Sequence, residues 1–346
     1  DRELVLLDLI GRGVDVVDDT MRALAPPPPL AAPALRPYQD DALAAWESAR
    51  RRGVVVLPTG AGKTRVAVAA IARSGCRALV LVPTRVLVDH WRASLAHAGV
   101  AHVGQYGDGK HDLSAVTIAT MDAAWRSMHL LGDAFELVVV DEVHRLASDA
   151  RSEALEMSLA PFRLGLTATP PDVEAGARVH ELVGPVVHQK SIDDLAGTFL
   201  APFELVVVPV ELSRAERAAY DGHKRRFHDW VDDQRFVEPD LSFQSLVKRA
   251  QKSPEGRDAL DALRRARTVL SYPAQKRAAL QALLDEHRGR KVLVFTGDNK
   301  TAYAIAREHL IFPVTCEVAR AERERILQLF RAGAVKRLVS SQVLNE

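Results

Sequence analysis

The stretch Val54-Val55-Val56-Leu57-Pro58-Thr59-Gly60-Ala61-Gly62-Lys63-Thr64 passes from an apolar run into a glycine-rich turn that ends in lysine and threonine. The pattern predicts a short buried strand, a turn whose glycines let backbone N–H groups approach phosphate oxygens, and a helix that begins at the lysine. Lys63 is then placed to reach the β- and γ-phosphates of a nucleotide, and Thr64 to bind Mg²⁺. An ordinary strand, turn and helix is the alternative, because the strict phosphate-loop pattern has glycine where Leu57 stands.

Length and composition indicate a multidomain globular protein. The 346 residues suit two or three domains, and a hydrophobic content of 47% supports packed cores. The 46 basic and 45 acidic residues nearly cancel, so net charge neither favours nor excludes a polyanionic partner.

Cys76 and Cys316 form neither a disulfide framework nor a zinc knuckle, which fits a reducing cytosol, or the nucleoid in a bacterium. No apolar run has the length of a membrane span, and the first residues, Asp1-Arg2-Glu3, have neither the layout of a signal peptide nor an initiator Met. We therefore expect no membrane partner and a fragment of a longer protein.

Short apolar runs alternate with helical patterns from Leu35 to about Phe199, and again from Tyr272 onward. This alternation predicts parallel sheets covered by helices, and several runs are apolar at consecutive positions, as strands buried on both faces require. The strands of the first region are predicted at 53–57, 78–82, 115–118, 137–140, 162–166 and 186–187. Ligands of such sheets bind beyond the carboxyl ends of the strands, so the polar residues that follow these runs should converge on one crevice.

Composition also places the domain boundaries. We predict the tail of a preceding domain at 1–25, a Pro-rich linker at 26–34, an ATP-binding domain at 35–200, a connector with a sheet-like stretch at 201–212, a helical insertion at 213–267 and a second, truncated α/β domain at 268–346. The insertion carries basic clusters at 224–226, 248–252 and 264–267, near three aromatic residues. They could follow a phosphate backbone, or they could belong to a solvated helical face whose acids balance them; the balance of charge slightly favours the second interpretation.

Two adjacent carboxylates, Asp141 and Glu142, end the apolar run that begins at Leu137. Acids after a strand are common in polar loops, but a phosphate loop in the same predicted sheet suggests a role for them. Asp141 would hold the Mg²⁺ that bridges the phosphates, and Glu142 would orient and deprotonate an attacking water. The predicted reaction is nucleoside triphosphate hydrolysis.

These motifs resemble those of the superfamily 2 helicases in order and spacing. The strings LPTGAGKT, DEVH and TAT, at 57–64, 141–144 and 167–169, resemble motifs I, II and III. Further strings resemble the segment before motif I and motifs Ia, Ib, IV and the start of V: LRPYQ at 35–39, VLVPTR at 80–85, TIAT at 117–120, VLVFTG at 292–297 and LVSSQVLNE at 338–346. The DEVH box, the LRPYQ string and a glycine–lysine loop at 104–110 are most similar to XPB-like DNA helicases and to motor subunits of restriction enzymes. The RED tripeptide of XPB proteins is not found; Pro171-Asp172-Val173-Glu174 stands in its place.

The resemblance implies an α/β protein with two RecA-like parallel-sheet domains, the second incomplete, and ATP and Mg²⁺ as cofactors. It implies that Arg36 and Gln39 read the adenine, that the nucleotide and Mg²⁺ are held by Pro58, Thr59, Gly60, Ala61, Gly62, Lys63, Thr64 and Asp141, and that Glu142, Asp141 and Lys63 perform the chemistry. His144, Thr167 and Thr169 would couple nucleotide state to nucleic acid, although a solvated loop histidine is the alternative for His144. Backbone contacts with nucleic acid would come from Pro83, Thr84, Arg85, Thr120, Thr296, Ser340 and Ser341.

Three tryptophans lie in helical patterns and are expected in the core: Trp46, Trp91 and Trp125.

The partner implied is single-stranded or forked duplex DNA, bound without sequence specificity, in DNA repair. Two alternatives stay open: an RNA helicase, and an ATP-gated DNA-binding scaffold that recruits a nuclease or repair protein without unwinding. The family completes motif V with Gly and Asp and supplies arginine fingers in motif VI, and both are absent from these residues. Because an arginine finger contributes roughly 10³-fold or more to the rate in related NTPases, the chain as written is expected to hydrolyse ATP poorly.

Overall fold

The computed structural model describes residues 8–9, 11–14, 20–22, 27, 29–145, 150–170, 173–238 and 241–341. The chain divides into two compact units, Asp1–Glu204 and Leu205–Glu346. Most of the predicted tail at 1–25, the first two residues of the 171–174 stretch that replaces the RED tripeptide, and the last five residues of the motif V string lie outside the described residues. None of the helices in the described ranges combines the length and the hydropathy needed to cross a bilayer.

The first unit alternates strands with helices after an opening helix, α1 (Pro37–Ser48). Its first half consists of β1 (Arg52–Val56), α2 (Lys63–Ser74), β2 (Ala78–Val82), α3 (Arg85–His97), β3 (Val103–Gly107), β4 (Lys110–Asp112), β5 (Val116–Thr120) and α4 (Met121–Leu131). Its second half consists of β6 (Leu137–Asp141), α5 (Glu153–Glu156), β7 (Phe162–Thr167), α6 (Val173–Leu182), β8 (Val186–Gln189) and α7 (Ile192–Leu195), with 3₁₀ turns at Val143–Arg145 and Ala150–Ser152.

These strands form one eight-stranded sheet in the order β4-β3-β5-β2-β6-β7-β1-β8. All neighbours pair in parallel except β3 and β4. Val56 is level with Thr167 and Val82 is level with Thr120, while Asp141 is level with Leu166. The carboxyl ends of β1, β2, β5, β6 and β7 therefore lie along one edge, as the alternating pattern predicts.

The core of this unit lies on both faces of the sheet. Val55, Val80 and Val139 pack on one face with α1, α2 and α3, and Val54 and Leu81 pack on the other face with α4 and α6. Burying one such side chain contributes about 1.5–3 kcal/mol. This two-sided burial is why the strands are apolar at consecutive positions. Trp46 and Trp91 lie in this core as expected, whereas the core prediction for Trp125 is wrong: the residue is 39% exposed and its indole N–H donates to the Glu153 carboxylate.

A β-hairpin occupies the stretch expected to be a glycine–lysine loop at 104–110. Strands β3 and β4 pair antiparallel, with Gly107 opposite Lys110. The two turn residues, Asp108 and Gly109, have φ angles of 56° and 73°. An Asp-Gly pair with both φ angles positive is typical of the type I′ turn that closes a two-residue hairpin, so the signal was present in the sequence.

The second unit begins with the predicted helical insertion. Its helices are α8 (Arg214–Val237), α9 (Phe243–Ala250) and α10 (Pro254–Ser271). Small residues spaced at three and four positions, Ala259, Ala262 and Ala266, are buried on α10 where it packs along α8. Within the basic clusters, Arg249 and Arg264 form ion pairs with acids at exposed positions. These pairs support the interpretation of the clusters as a solvated helical face.

The second unit continues with a small α/β fold. It contains α11 (Ala274–Glu286), β9 (Val292–Thr296), α12 (Asn299–His309), β10 (Phe312–Val314), α13 (Arg320–Ala332) and β11 (Arg337–Ser341). The strands pair in parallel in the order β10-β11-β9. The sheet-like expectation for 203–211 is wrong, because no strand is formed there. The segment has no neighbouring strand among the described residues to pair with. Several of its apolar residues are exposed, such as Leu205 at 81% and Val207 at 80%.

Candidate nucleotide site and nucleic-acid interface

The phosphate loop follows β1 at the carboxyl edge of the sheet. Gly60 and Gly62 have φ angles of 83° and 79°, in the left-handed region that glycine adopts without steric cost. Gly62 is the residue before α2, so the free N–H groups of the first helical turn lie directly after it. A Cβ at Gly62 would lie 2.5 Å from the amide nitrogen of Gln39. The second glycine is therefore required both by the backbone and by its neighbour.

Gln39 and Tyr38 hold this loop from helix α1. The Gln39 side-chain nitrogen donates to the carbonyl oxygen of Ala61 at 2.7 Å, and the Tyr38 hydroxyl donates to the same oxygen at 2.8 Å. The Gln39 side-chain oxygen accepts from the backbone N–H of Arg36 at 2.9 Å, and only 2% of Gln39 is exposed. The described contacts of Gln39 thus support the loop, and its reading of the adenine stays a prediction.

Arg36 lies against an aromatic residue that sequence reasoning missed. Its guanidinium donates to the carbonyl oxygen of Phe199 at 2.9 Å and lies 5.8 Å from the centre of the Phe199 ring. The Tyr38 and Phe199 rings are 4.9 Å apart. Phe199 is far from Arg36 along the chain, and no periodicity singles it out.

Asp141 and Glu142 follow β6 and lie on the same edge as the phosphate loop. Asp141 is only 7% exposed, and its two carboxylate oxygens accept from the indole N–H of Trp91 at 2.8 Å and from the backbone N–H of Glu142 at 3.1 Å. Glu142 has a φ of 50°, in the left-handed region. That conformation costs a non-glycine residue about 1–2 kcal/mol, and strain of this kind concentrates at functional sites.

The charged groups of the site influence one another. Burial lowers the pKa of the Lys63 ammonium, and the nearby carboxylates of Glu142 and Asp141 act in the opposite direction. Burial raises the pKa of the Asp141 carboxyl, and the hydrogen bond from Trp91 opposes that change. Lys63 also donates to the carbonyl oxygen of Leu57 at 3.2 Å. One lysine and two carboxylates therefore share a partly desolvated pocket at the helix start, which suits a polyphosphate with a divalent cation.

The donor set at this edge fits Mg²⁺. Thr64 offers a hydroxyl oxygen and Asp141 a carboxylate oxygen, and hard oxygen ligands are those that Mg²⁺ prefers. Within the described ranges, no group of three or more His, Cys, Asp and Glu residues is placed to hold a metal ion by itself. Two protein oxygens match a Mg²⁺ that is otherwise surrounded by phosphate oxygens and water, as is usual for nucleotide sites.

A short hydrogen-bond chain links His144 to motif III. The Thr167 hydroxyl donates to the carbonyl oxygen of Thr169 at 2.8 Å and accepts from the Thr169 N–H at 3.1 Å. His144 Nδ1 lies 2.8 Å from the same hydroxyl oxygen and forms a hydrogen bond with it, whose donor is set by the imidazole tautomer. The same nitrogen is 3.5 Å from the Glu142 carboxylate, and burial lowers the pKa of His144. The Leu57 N–H donates to the Thr167 carbonyl oxygen at 3.0 Å, so the chain also reaches the phosphate loop.

The proposed nucleic-acid residues of the first unit surround a cavity of about 380 Å³ at the same edge of the sheet. Pro83, Thr84, Arg85 and Thr120 line it together with the turn of the hairpin. The Thr84 hydroxyl oxygen is buried and has no hydrogen-bond partner within the described chain. Arg85 is 75% exposed and its guanidinium lies 2.6 Å from the Asp108 carboxylate.

In the second unit, Thr296 and Ser341 are level on neighbouring strands, with Ser340 beside them. Ser340 is fully buried and donates to the carbonyl oxygen of Val314 at 2.9 Å, and Ser341 is 1% exposed and hydrogen-bonded to Asn299. The Thr296 hydroxyl donates to the carbonyl oxygen of Asp298 at 3.0 Å. The structure therefore brings these three residues together but turns the two serine hydroxyls into the fold, and their contact with nucleic acid stays a prediction.

Three residues of the first unit belong to these sites and escaped sequence reasoning: Trp91, Asp108 and Phe199. A buried tryptophan on the helix after motif Ia, and an Asp-Gly turn, were the available signals for the first two. For Phe199 the sequence has none.

Ion pairing at Arg85 leads to a prediction. Replacing Asp108 with Asn removes the carboxylate that pairs with the Arg85 guanidinium and would leave that guanidinium free for the proposed DNA phosphate. Because an exposed ion pair contributes about 0.2–1 kcal/mol, we expect DNA affinity at low salt to rise by a factor of about 1.4 to 5. Fluorescence anisotropy with labelled single-stranded DNA measures this change.

The matched control is Asp40→Asn, which removes the partner of Arg73 from an ion pair of the same length, 2.6 Å, on helices α1 and α2. Asp40→Asn should leave DNA affinity unchanged. Equal affinities for wild type and Asp108→Asn would mean that Arg85 does not contact the DNA.

Comparison with known proteins identifies the family. Residues 32–172 match the family model "Type III restriction enzyme, res subunit", and residues 275–346 match "Helicase conserved C-terminal domain". The chain is 37% identical over 317 residues to the DNA 3'-5' translocase XPB2 of Sulfurisphaera tokodaii, covering 90% of this chain and 71% of the relative. It is 31% identical over 328 residues to the DNA 3'-5' helicase XPB of Kineococcus radiotolerans, covering 90% of this chain and 51% of that protein.

A solved structure has the same fold. The helicase domain of Pyrococcus furiosus Hef aligns with a TM-score of 0.53 at 17% identity, covering 89% of this chain and 86% of that one. The match supports two RecA-like lobes, as the resemblance implied. With the ordered motifs, the sheet edge that carries them and these relatives, the chain belongs to the XPB-like helicases of superfamily 2, ATP-hydrolysing motors that act on DNA.

Proposed function

We propose that this chain is the motor of a DNA helicase or translocase that moves 3′→5′ in DNA repair, with ATP and Mg²⁺ as cofactors. The observation that carries the proposal is the meeting of Lys63 with Asp141 and Glu142 at one edge of the sheet, where the two carboxylates raise the pKa of Lys63 against the effect of burial, and Lys63 lowers the pKa of Asp141 against the effect of burial. The direction and the repair setting rest on the relatives. The chain covers about half of several of them, so these properties belong to the proposal.

Nucleotide binding is assigned to residues around the phosphate loop. The N–H groups of the loop and of the first turn of α2 bind phosphate oxygens, and Lys63 neutralises their charge. Thr64 and Asp141 hold Mg²⁺, which when bound neutralises the charge that develops on the β- and γ-phosphates. Pro58, Thr59 and Ala61 complete the loop, and Arg36 with Gln39 flanks the base.

Hydrolysis needs a water molecule that is oriented and deprotonated. Glu142 accepts its proton, and the left-handed backbone at this residue sets the direction in which its side chain leaves the chain. His144 Nδ1 lies 3.5 Å from the Glu142 carboxylate and forms a hydrogen bond with the Thr167 hydroxyl, so His144 stands between the proton acceptor and motif III. A change at the γ-phosphate can therefore be transmitted along His144, Thr167 and Thr169.

DNA binding is assigned to the cavity lined by Pro83, Thr84, Arg85 and Thr120. Contacts of this kind reach the phosphate backbone and carry no base information, so binding should be independent of sequence and weaken with salt. We further propose that the protein acts in the cytoplasm, at the nucleoid in a bacterium, and that a nuclease or repair protein accompanies it.

The test is ATP turnover by the full-length protein at low salt with single-stranded DNA, duplex DNA or single-stranded RNA. We expect DNA to stimulate turnover more than RNA does, and the stimulation to fall as salt rises. Equal turnover with and without DNA would favour a scaffold that binds without moving. Stronger stimulation by RNA would make the protein an RNA helicase.

A further inference from the structure

Trp91 is a fully buried residue of α3 that reaches the nucleotide site. Its ring packs in the core on one face of the sheet, and its indole N–H donates to Oδ2 of Asp141 at 2.8 Å. A buried indole N–H needs a hydrogen-bond partner, and a backbone carbonyl is sufficient for that purpose. Trp46 shows this simpler solution, since it is equally buried and donates to the carbonyl oxygen of Arg163 at 2.9 Å. Trp91 instead takes an oxygen of a proposed Mg²⁺ ligand.

The hydrogen bonds at Asp141 fix the plane of its carboxylate. One oxygen accepts from Trp91 and the other accepts from the backbone N–H of Glu142. An ionised carboxylate has about four lone-pair positions, so one position on each oxygen remains for a metal ion or its water shell. Rotation of the carboxylate would break both bonds together.

Trp91 also connects this carboxylate to the proposed DNA contacts. Helix α3 begins at Arg85, directly after Thr84, and Trp91 lies six residues later, about 9 Å along the helix axis. A helix moves as a rigid element over this distance. If DNA binding displaces the first turn of α3, the indole N–H of Trp91 would therefore move with it.

We propose that Trp91 is a positioning residue that orients Asp141 toward the Mg²⁺–nucleotide and links that orientation to helix α3. The inference rests on the proposed function of the nucleotide site. Partners that orient a metal ligand from outside the metal's own ligand set typically change metal affinity by about 10–100-fold when they are removed. The loss of one N–H group should therefore appear in the Mg²⁺ dependence of nucleotide binding.

The experiment compares Trp91→Phe with Trp46→Phe in the full chain. Both changes keep a buried aromatic ring and remove one indole hydrogen bond. A fluorescent ADP analogue is titrated over a range of Mg²⁺ concentrations and in EDTA, and thermal unfolding is recorded for each variant. We expect Trp91→Phe to raise the Mg²⁺ concentration for half-maximal binding about 10-fold or more, with unchanged affinity in EDTA. Trp46→Phe should change neither value while losing a similar amount of thermal stability.

A second measurement uses the wild-type chain and does not depend on the folding of Trp91→Phe. The chain has four tryptophans, so four indole N–H resonances are expected in a ¹H–¹⁵N NMR spectrum. Single Phe variants of the other three assign the Trp91 signal by elimination. We expect this signal to shift when Mg²⁺ is added to the ADP complex, and the Trp46 signal to stay in place.

Two results would overturn the inference. One is an equal Mg²⁺ concentration for half-maximal nucleotide binding in Trp91→Phe and Trp46→Phe. The other is a Trp91 indole N–H resonance whose chemical shift does not change when Mg²⁺ is added. Nucleotide binding by the wild-type chain that is independent of Mg²⁺ would instead overturn the proposed function of the site, and the inference with it.

Discussion

Replacing Glu142 with Gln is expected to reduce ATP turnover of the full-length protein about 10²–10⁴-fold, the usual contribution of a general base. The amide keeps the shape of the side chain and cannot accept a proton from the attacking water. Lys63, Thr64 and Asp141 are untouched, so ATP should still bind. The variant should therefore hold ATP without hydrolysing it. Turnover of radiolabelled ATP and retention of the nucleotide on a filter measure the two properties.

The control for this change is Glu181→Gln. Glu181 is an exposed acid of the same unit that pairs with Arg178 and lies outside the nucleotide site. The control should hydrolyse ATP at the wild-type rate. Full-rate hydrolysis by Glu142→Gln would show that Glu142 is not the group that deprotonates the water.

Replacing Lys63 with Ala is expected to weaken ATP binding about 10–100-fold, because a hydrogen bond to a charged group contributes about 1.5–3 kcal/mol. Turnover should fall further, by about 10²–10³-fold at saturating ATP, since the ammonium also neutralises charge that develops in the transition state. Both nucleotide-dependent DNA movement and DNA-stimulated turnover should disappear. Equilibrium binding of a fluorescent ATP analogue and steady-state turnover separate the two losses.

Lys190→Ala provides the comparison. Lys190 lies in the same unit, directly after β8, and the hydrogen bond that ties it to Val56 uses its backbone N–H, which the substitution keeps. Binding and turnover should match the wild type. Normal ATP affinity in Lys63→Ala would mean that the loop of 57–64 does not hold the phosphates.

The residues of each motif could be found from the sequence because each motif is local. A strand, a glycine turn and the start of a helix lie within the eleven residues from Val54 to Thr64, so spacing alone predicts a phosphate loop. The same is true of Asp141 and Glu142, which follow an apolar run directly. The alternation of runs and helical patterns also predicted a parallel sheet, since strands buried on both faces must be apolar at consecutive positions.

What joins these motifs was decided by the tertiary structure. Trp91 and Asp141 are 50 residues apart, and His144 and Thr167 are 23 apart. Their contacts depend on the order β2-β6-β7-β1, which no periodicity contains. Helical spacing likewise treated Trp91 and Trp125 alike, yet the sheet buries the first and leaves the second 39% exposed. Periodicity specifies that a face is apolar, whereas only the packing of distant elements specifies what that face meets, and in this protein it is packing that places an indole N–H on a proposed magnesium ligand.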